Sequence, residues 1–191
     1  MDFILEIDNN LSPEKCEDII KRFEKDDRRR PGLTTASNVS QIEYKKSTDL
    51  CITGLEGWTD IDKYLYEKLK EGISKYQNHL KDKIGRNSSH FEAIVDSGYQ
   101  VQRTSKGEYY SWHDDSNMKT GRIFTYIWYL NTMDPCSDGG VTIFHDGRQI
   151  TPEQGKLLIF PATWTYVHAG MPVIGNRNKY ICTGWILKPT T

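Results

Sequence analysis

The hydrophobic pattern changes period near residue 88, and that change restricts the chain to folds in which helices cover a β core. Before it, Cys16, Ile19, Ile20 and Phe23 fall on one helical face. Ser12 is placed to cap that helix and Pro13 suits its first position. A second helix is predicted from Thr59 to Leu80, on the four-residue steps of Ile61, Leu65, Leu69 and Ile73. A short strand, Phe3 to Ile7, leads the chain. From Phe91 onward the pattern is that of strands: Tyr99 to Gln102, Ile123 to Leu130, Val141 to Phe144, Leu157 to Phe160 and Tyr180 to Leu187. Glycine- and aspartate-rich turns separate them. Many short strands favour a sandwich or a jelly roll, with the helices against one sheet. The expected fold class is α+β with a mainly β core. One domain is expected, with residues 1–88 as a helical support region and 89–191 as the β core.

Charge narrows the function. Lys and Arg number 25 against 26 Asp and Glu, so the net charge is -1. That disfavours non-specific binding to nucleic acid, which rests on excess positive charge. The Arg28-Arg29-Arg30 triplet is read as a solvated loop rather than a contact for an acidic partner. No run of 18 apolar residues is present, and the first ten residues carry acids where a signal peptide needs positive charge. A cytoplasmic location is expected. Four cysteines, none in a C-x-x-C pair, fit a reducing compartment, with Cys16 and Cys182 buried as small apolar residues.

One constellation stands out chemically. His113 and Asp115 are two apart, so in an extended segment they aim an imidazole and a carboxylate to one side. His168, near the end of a later strand, is a candidate third ligand. Two His and one carboxylate on one face of a metal, with the other positions open, is the pattern of non-haem Fe(II) oxygenases. The pair His145-Asp146 competes, but Gly147 follows and marks a hairpin tip. His79 and His90 have no partners at ligand spacing. Eleven residues after His168, Lys179 opens an apolar strand, where a cation is costly to bury unless an anion meets it.

At these positions the sequence resembles the 2-oxoglutarate- and Fe(II)-dependent dioxygenases, in their prolyl 4-hydroxylase-like branch. The H-x-D pair, the distal His and the following Lys fall on His113, Asp115, His168 and Lys179. The stretch Arg122 to Asn131 resembles the family's R-x-x-T-x-x-x-Y-L-N strand. Gly139 to Phe144 resembles its G-G-x-x-x-F strand, and His168 to Val173 its H-x-x-x-P-V turn. The resemblance implies a double-stranded β-helix, or jelly roll, with residues 89–191 as the catalytic core. It implies Fe(II) on His113, Asp115 and His168, with 2-oxoglutarate, O2 and ascorbate as co-substrates and reductant. Lys179 would anchor the far carboxylate of 2-oxoglutarate, aided by Tyr129, Thr183 and Tyr110. Arg122, Tyr109, Trp128 and Trp185 would line the substrate side. Trp112 and Trp164 neighbour the ligand residues in sequence, and their expected structural role is to wall the site and stack in the core. The implied reaction hydroxylates a peptidyl substrate, with proline the expected residue, and releases succinate and CO2. Lysine at the anchor position favours the collagen- and plant-type branch over the oxygen-sensing one.

Thr104 stands where the family usually has tyrosine, which shifts that role toward Tyr110, and Arg177 rivals Lys179 as the anchor. Two other readings stay open: an oxygenase of a free amino acid, small molecule or nucleic-acid base, and a jelly-roll binding module without chemistry. The stretches Arg28 to Ser47 and Asp114 to Thr120 are expected to be substrate loops.

Overall fold

The computed structural model describes residues 2–32, 44–87, 91, 93–116 and 121–188. Two sheets form the core. The larger has the order β1 (Leu5–Ile7), β10 (Leu157–Pro161), β7 (Arg122–Tyr129), β12 (Lys179–Leu187), β5 (Gln100–Thr104), β3 (Thr48–Cys51) and β2 (Arg30–Pro31), with β4 (Val95–Asp96) also paired to β12. The smaller has the order β6 (Tyr110–His113), β11 (His168–Gly170), β8 (Thr142–Phe144) and β9 (Gln149–Ile150). The named strand pairs are antiparallel.

Helix α1 (Pro13–Lys25) begins where expected: the Ser12 hydroxyl accepts from the Lys15 N–H, and Pro13 occupies the first turn. It buries Cys16, Ile19 and Phe23. Helix α2 (Thr59–Ile84) runs four residues past the expected end and stops at Gly85, whose φ of 70° lies in the left-handed region. Both helices pack on one face of the large sheet, against Phe124, Tyr126, Trp128, Leu157, Ile159, Cys182 and Ile186. Gly72 permits this approach, because a Cβ there would collide with the Leu157 side chain.

Strand alternation assigns the other face. Ile127 and Tyr129 of β7 and Leu158 and Phe160 of β10 turn toward the small sheet, joining Phe144 and Ile150 in a second core cluster. The N-terminal region also supplies more strand than expected, since β2 and β3 join the expected β1 in the large sheet. Two arginines of the triplet are ion-paired within the chain, Arg28 with Asp26 at 2.6 Å and Arg29 with Glu24 at 2.8 Å, while Arg30 donates to the Asp27 and Arg29 carbonyls. Cys16 and Cys182 are buried, and all four cysteines are free. Among the described residues no helix is long and apolar enough to cross a membrane.

Candidate metal and co-substrate site

Strands β6 and β11 are neighbours in the small sheet, and their register sets His168 opposite His113. Asp115 lies two residues past the end of β6. One ligand atom from each of these three residues lies within 4.8 Å of the others. Nε2 of His168 is 3.6 Å from Asp115 Oδ2, and Nε2 of His113 is 3.9 Å from Oδ1.

The hydrogen bonds behind the ligands fix their chemistry. Nδ1 of His113 donates to the Ser111 carbonyl at 2.8 Å, and Nδ1 of His168 donates to the Tyr166 carbonyl at 3.0 Å. A carbonyl only accepts, so each Nδ1 carries a proton and Nε2 is the ring atom presented toward Asp115. Burial and the neighbouring His168 push His113 down to about 4, which keeps it neutral at pH 7. Burial alone would raise the Asp115 carboxyl, but the two imidazoles and the Thr125 hydroxyl outweigh it and hold it below its ordinary value. Thr125 Oγ1 donates to Asp115 Oδ2 at 2.7 Å.

These ligands open into a cavity of about 200 Å³. Lys179, Ile181, Thr183 and Trp185 reach it from alternate positions of β12, and Gln100, Gln102 and Thr104 do so from β5. Lys179 is 6% exposed. Among the described residues no carboxylate lies within ion-pairing distance of it, and its Nζ is 5.6 Å from the Tyr129 ring centroid. Burial pushes this ammonium down to about 8. Arg177 is turned outward, with its guanidinium on Asp138.

The other expected site residues divide. Tyr110 lines the cavity and stacks on His113. Arg122 also lines it, with its guanidinium carbon 3.5 Å from the Trp185 ring centroid. The Thr183 hydroxyl donates to the Tyr126 carbonyl, and the Tyr129 hydroxyl to Thr142 Oγ1, both at 2.8 Å. Trp128 is a correction. Its even position on β7 turns it to the helices, where it is fully buried and donates to Asn10 Oδ1 at 2.7 Å. Tyr109 is also outside the cavity wall, with its ring beside the Lys46 ammonium. Trp112 and Trp164 do not wall the site, being 47% and 73% exposed. His145-Asp146 sits at a hairpin tip, as expected, where Gly147 N–H donates to the Phe144 carbonyl. His90 lies outside the described residues, as do 33–43 and 117–120 of the expected loops.

Sequence reading passed over Lys45, Gln100, Gln102 and Thr142, which all line the cavity. The period-two rule applied to β5 points to Gln100 and Gln102. Lys45 lies in a polar stretch read as loop, and nothing local marks it.

Residues 99–187 match the family model of the 2OG-Fe(II) oxygenase superfamily. A PKHD-type hydroxylase of Synechococcus sp. (strain CC9605) is 29% identical over 92 residues, 45% of this chain and 40% of that protein. The match thus spans about two-fifths of the length of this curated relative. Among solved structures, a prolyl hydroxylase from Trichoplax adhaerens, in complex with a hypoxia inducible factor peptide fragment, aligns with a TM-score of 0.78 at 20% identity, covering 98% of this chain and 84% of that one. A Pseudomonas putida prolyl-4-hydroxylase aligns at 0.70 and 17% identity, covering 98% and 93%. A viral collagen prolyl hydroxylase from Paramecium bursaria Chlorella virus-1, in its 2OG complex, aligns at 0.68 and 23%, covering 97% and 96%. The fold is therefore the double-stranded β-helix of the prolyl hydroxylases, with two open sheets rather than a closed barrel.

Proposed function

Because residues 99–187 match the family model of the 2OG-Fe(II) oxygenase superfamily, we propose that this chain is a 2-oxoglutarate-dependent dioxygenase that hydroxylates a peptidyl substrate at proline. The observation that carries the reading is one cavity holding both a three-ligand face and a buried ammonium that has no counter-anion among the described residues. His113, Asp115 and His168 would hold the metal. Two imidazoles and one carboxylate fit a ferrous ion, and their backs are already tied by Ser111, Tyr166 and Thr125. Bound there, iron with O2 supplies the oxidising power that side chains lack, with succinate and CO2 as the products of 2-oxoglutarate.

The chain's own residues do the rest. Lys179 takes the far carboxylate of 2-oxoglutarate, and the diacid supplies the missing anion. Thr142, whose Oγ1 already accepts from Tyr129, has its own proton free for that carboxylate. Thr183 narrows the pocket beside it. Tyr110 holds the His113 ring, and the Arg122–Trp185 stack forms the wall facing the substrate. A peptide is supported by the Trichoplax adhaerens prolyl hydroxylase, which shares this fold and was solved with a peptide fragment. The near-neutral charge speaks against nucleic acid. In this reading ascorbate serves as reductant, residues 1–88 support the catalytic core of 89–191, and the protein is cytoplasmic, in keeping with four free cysteines.

Mass spectrometry of proline-containing peptide libraries, incubated with Fe(II), ascorbate and 2-oxoglutarate, tests the proposal. Gain of one oxygen atom on proline is expected, and His113→Ala should abolish succinate formation. Turnover of 2-oxoglutarate without any peptide product would overturn the peptidyl assignment.

A further inference from the structure

The cavity holds two buried lysines whose charges are treated differently. Lys179 has no carboxylate partner among the described residues. Lys45 pairs with buried Asp49 at 2.7 Å. Asp49 is occupied on both sides, since its Oδ1 accepts the Ser47 hydroxyl at 2.8 Å. A buried ion pair is often no more stabilising than an apolar pair of the same volume. Its place in a cavity wall therefore points to recognition rather than stability.

Among the described residues, the amine belongs to the wall of the cavity. Gly32 seals the outside of the pair, because a Cβ there would meet Ser47 Oγ, Asp49 Oδ2 and Lys45 Cε. The backbone of Lys45 is bridged to Tyr110, and the Lys46 N–H donates to the Tyr109 carbonyl at 2.8 Å. Lys45 Nζ stands 5.2 Å from the Tyr110 ring centroid and lines the cavity. An ammonium carries three donors, and Lys45 commits one to Asp49. Beside it on the same wall lie Gln100 and Gln102, whose amides are hydrogen-bonded to each other at 2.6 Å.

We propose that Lys45 is a substrate-recognition residue, donating a hydrogen bond to a backbone carbonyl of an extended peptide that passes along the Gln100–Gln102 wall. Asp49 cancels the field that would draw a second anion, so the Lys45 donor is matched to a neutral acceptor. The two lysines thereby divide the ligands: a dicarboxylate goes to Lys179 and an amide carbonyl to Lys45. This rests on the peptidyl reading proposed above.

The test is the double variant Lys45→Met/Asp49→Leu, which removes both charges together and leaves no buried carboxylate unpaired. Thermal melting checks that it folds. Wild type and variant, each loaded anaerobically with Fe(II), are titrated with 2-oxoglutarate and then with a library of capped proline-containing peptides. The retained peptides should bind the variant about tenfold more weakly, the loss of one charge-assisted hydrogen bond, while the 2-oxoglutarate Kd moves less than twofold. Equal peptide affinity in the two proteins overturns the proposal, as does an equal loss for both ligands. If wild type binds 2-oxoglutarate but retains no peptide, the proposal also falls. If wild type does not bind 2-oxoglutarate, the dioxygenase reading fails first and this one with it. A Lys45→Arg variant, which keeps the charge and the donors, should stay within a few-fold of wild type.

Discussion

Tyr110 and His113 lie face to face, their ring centroids 3.6 Å apart and their planes 12° from parallel. With Nδ1 tied to the Ser111 carbonyl, the stack leaves the imidazole almost no rotation. Tyr110→Ala should therefore weaken Fe(II) binding about tenfold, the scale on which ligand-orienting contacts act. Tyr110→Phe, which keeps the ring, should bind as wild type. Anaerobic Fe(II) titration of the three proteins decides, and equal affinity for all would show that the stack does not position the ligand.

Thr125 is the corresponding support for the carboxylate, donating to Asp115 Oδ2 at 2.7 Å from β7. Thr125→Val keeps the shape and removes the donor. Metal affinity should fall roughly 10- to 100-fold, and Thr125→Ser should restore most of it. The same titration measures both, and an unaffected valine variant would mean that Asp115 needs no second anchor.

In the proposed reading Lys179 makes co-substrate binding dependent on pH. Its ammonium titrates at about 8 in the ligand-free protein. An anion binds the protonated form, so affinity for 2-oxoglutarate is full below that pH and falls as pH rises through it. The Kd should increase about tenfold from pH 7 to pH 9. Calorimetric titration across this range checks it, and a flat profile would place the anchor elsewhere.

The same residue has a stability signature. Its folded pKa of about 8 lies below the ordinary 10.5, so between these values the unfolded chain binds more protons. Stability from this group thus rises with pH across that window, and its full cost is present below pH 8. Lys179→Met should raise the stability of the ligand-free protein at pH 7 by up to about 3 kcal/mol, and abolish the stabilisation that 2-oxoglutarate gives wild type. The difference between the two denaturation curves should shrink toward pH 10. A methionine variant that is less stable at pH 7 would mean the cation has a partner.

Much of this was legible because strands report their own faces. The alternation of Lys179, Ile181, Thr183 and Trp185 along β12 is written in the sequence, and so is the spacing of His113 and Asp115. What was not legible depended on partners far along the chain. Lys45 reads as a loop lysine until β3 places Asp49 beside it. Trp112 and Trp164 adjoin sequence segments that enter the site, yet their side chains face outward. Proximity in sequence to a ligand carries no direction, whereas parity along a strand does.

Trp128 shows the force of parity. Resemblance to a substrate-lining stretch set it on the cavity side, but two residues of the same strand, Ile127 and Tyr129, turn inward and leave it to the helices. Its indole N–H donates to Asn10 Oδ1 at 2.7 Å in a fully buried setting. Trp128→Phe removes that donor and strands a buried amide oxygen, at a cost of about 1–3 kcal/mol. Since the change lies behind the sheet, chemical denaturation should register that loss while the Kd values for 2-oxoglutarate and peptide stay put. A variant with native stability and altered peptide affinity would return Trp128 to the substrate wall.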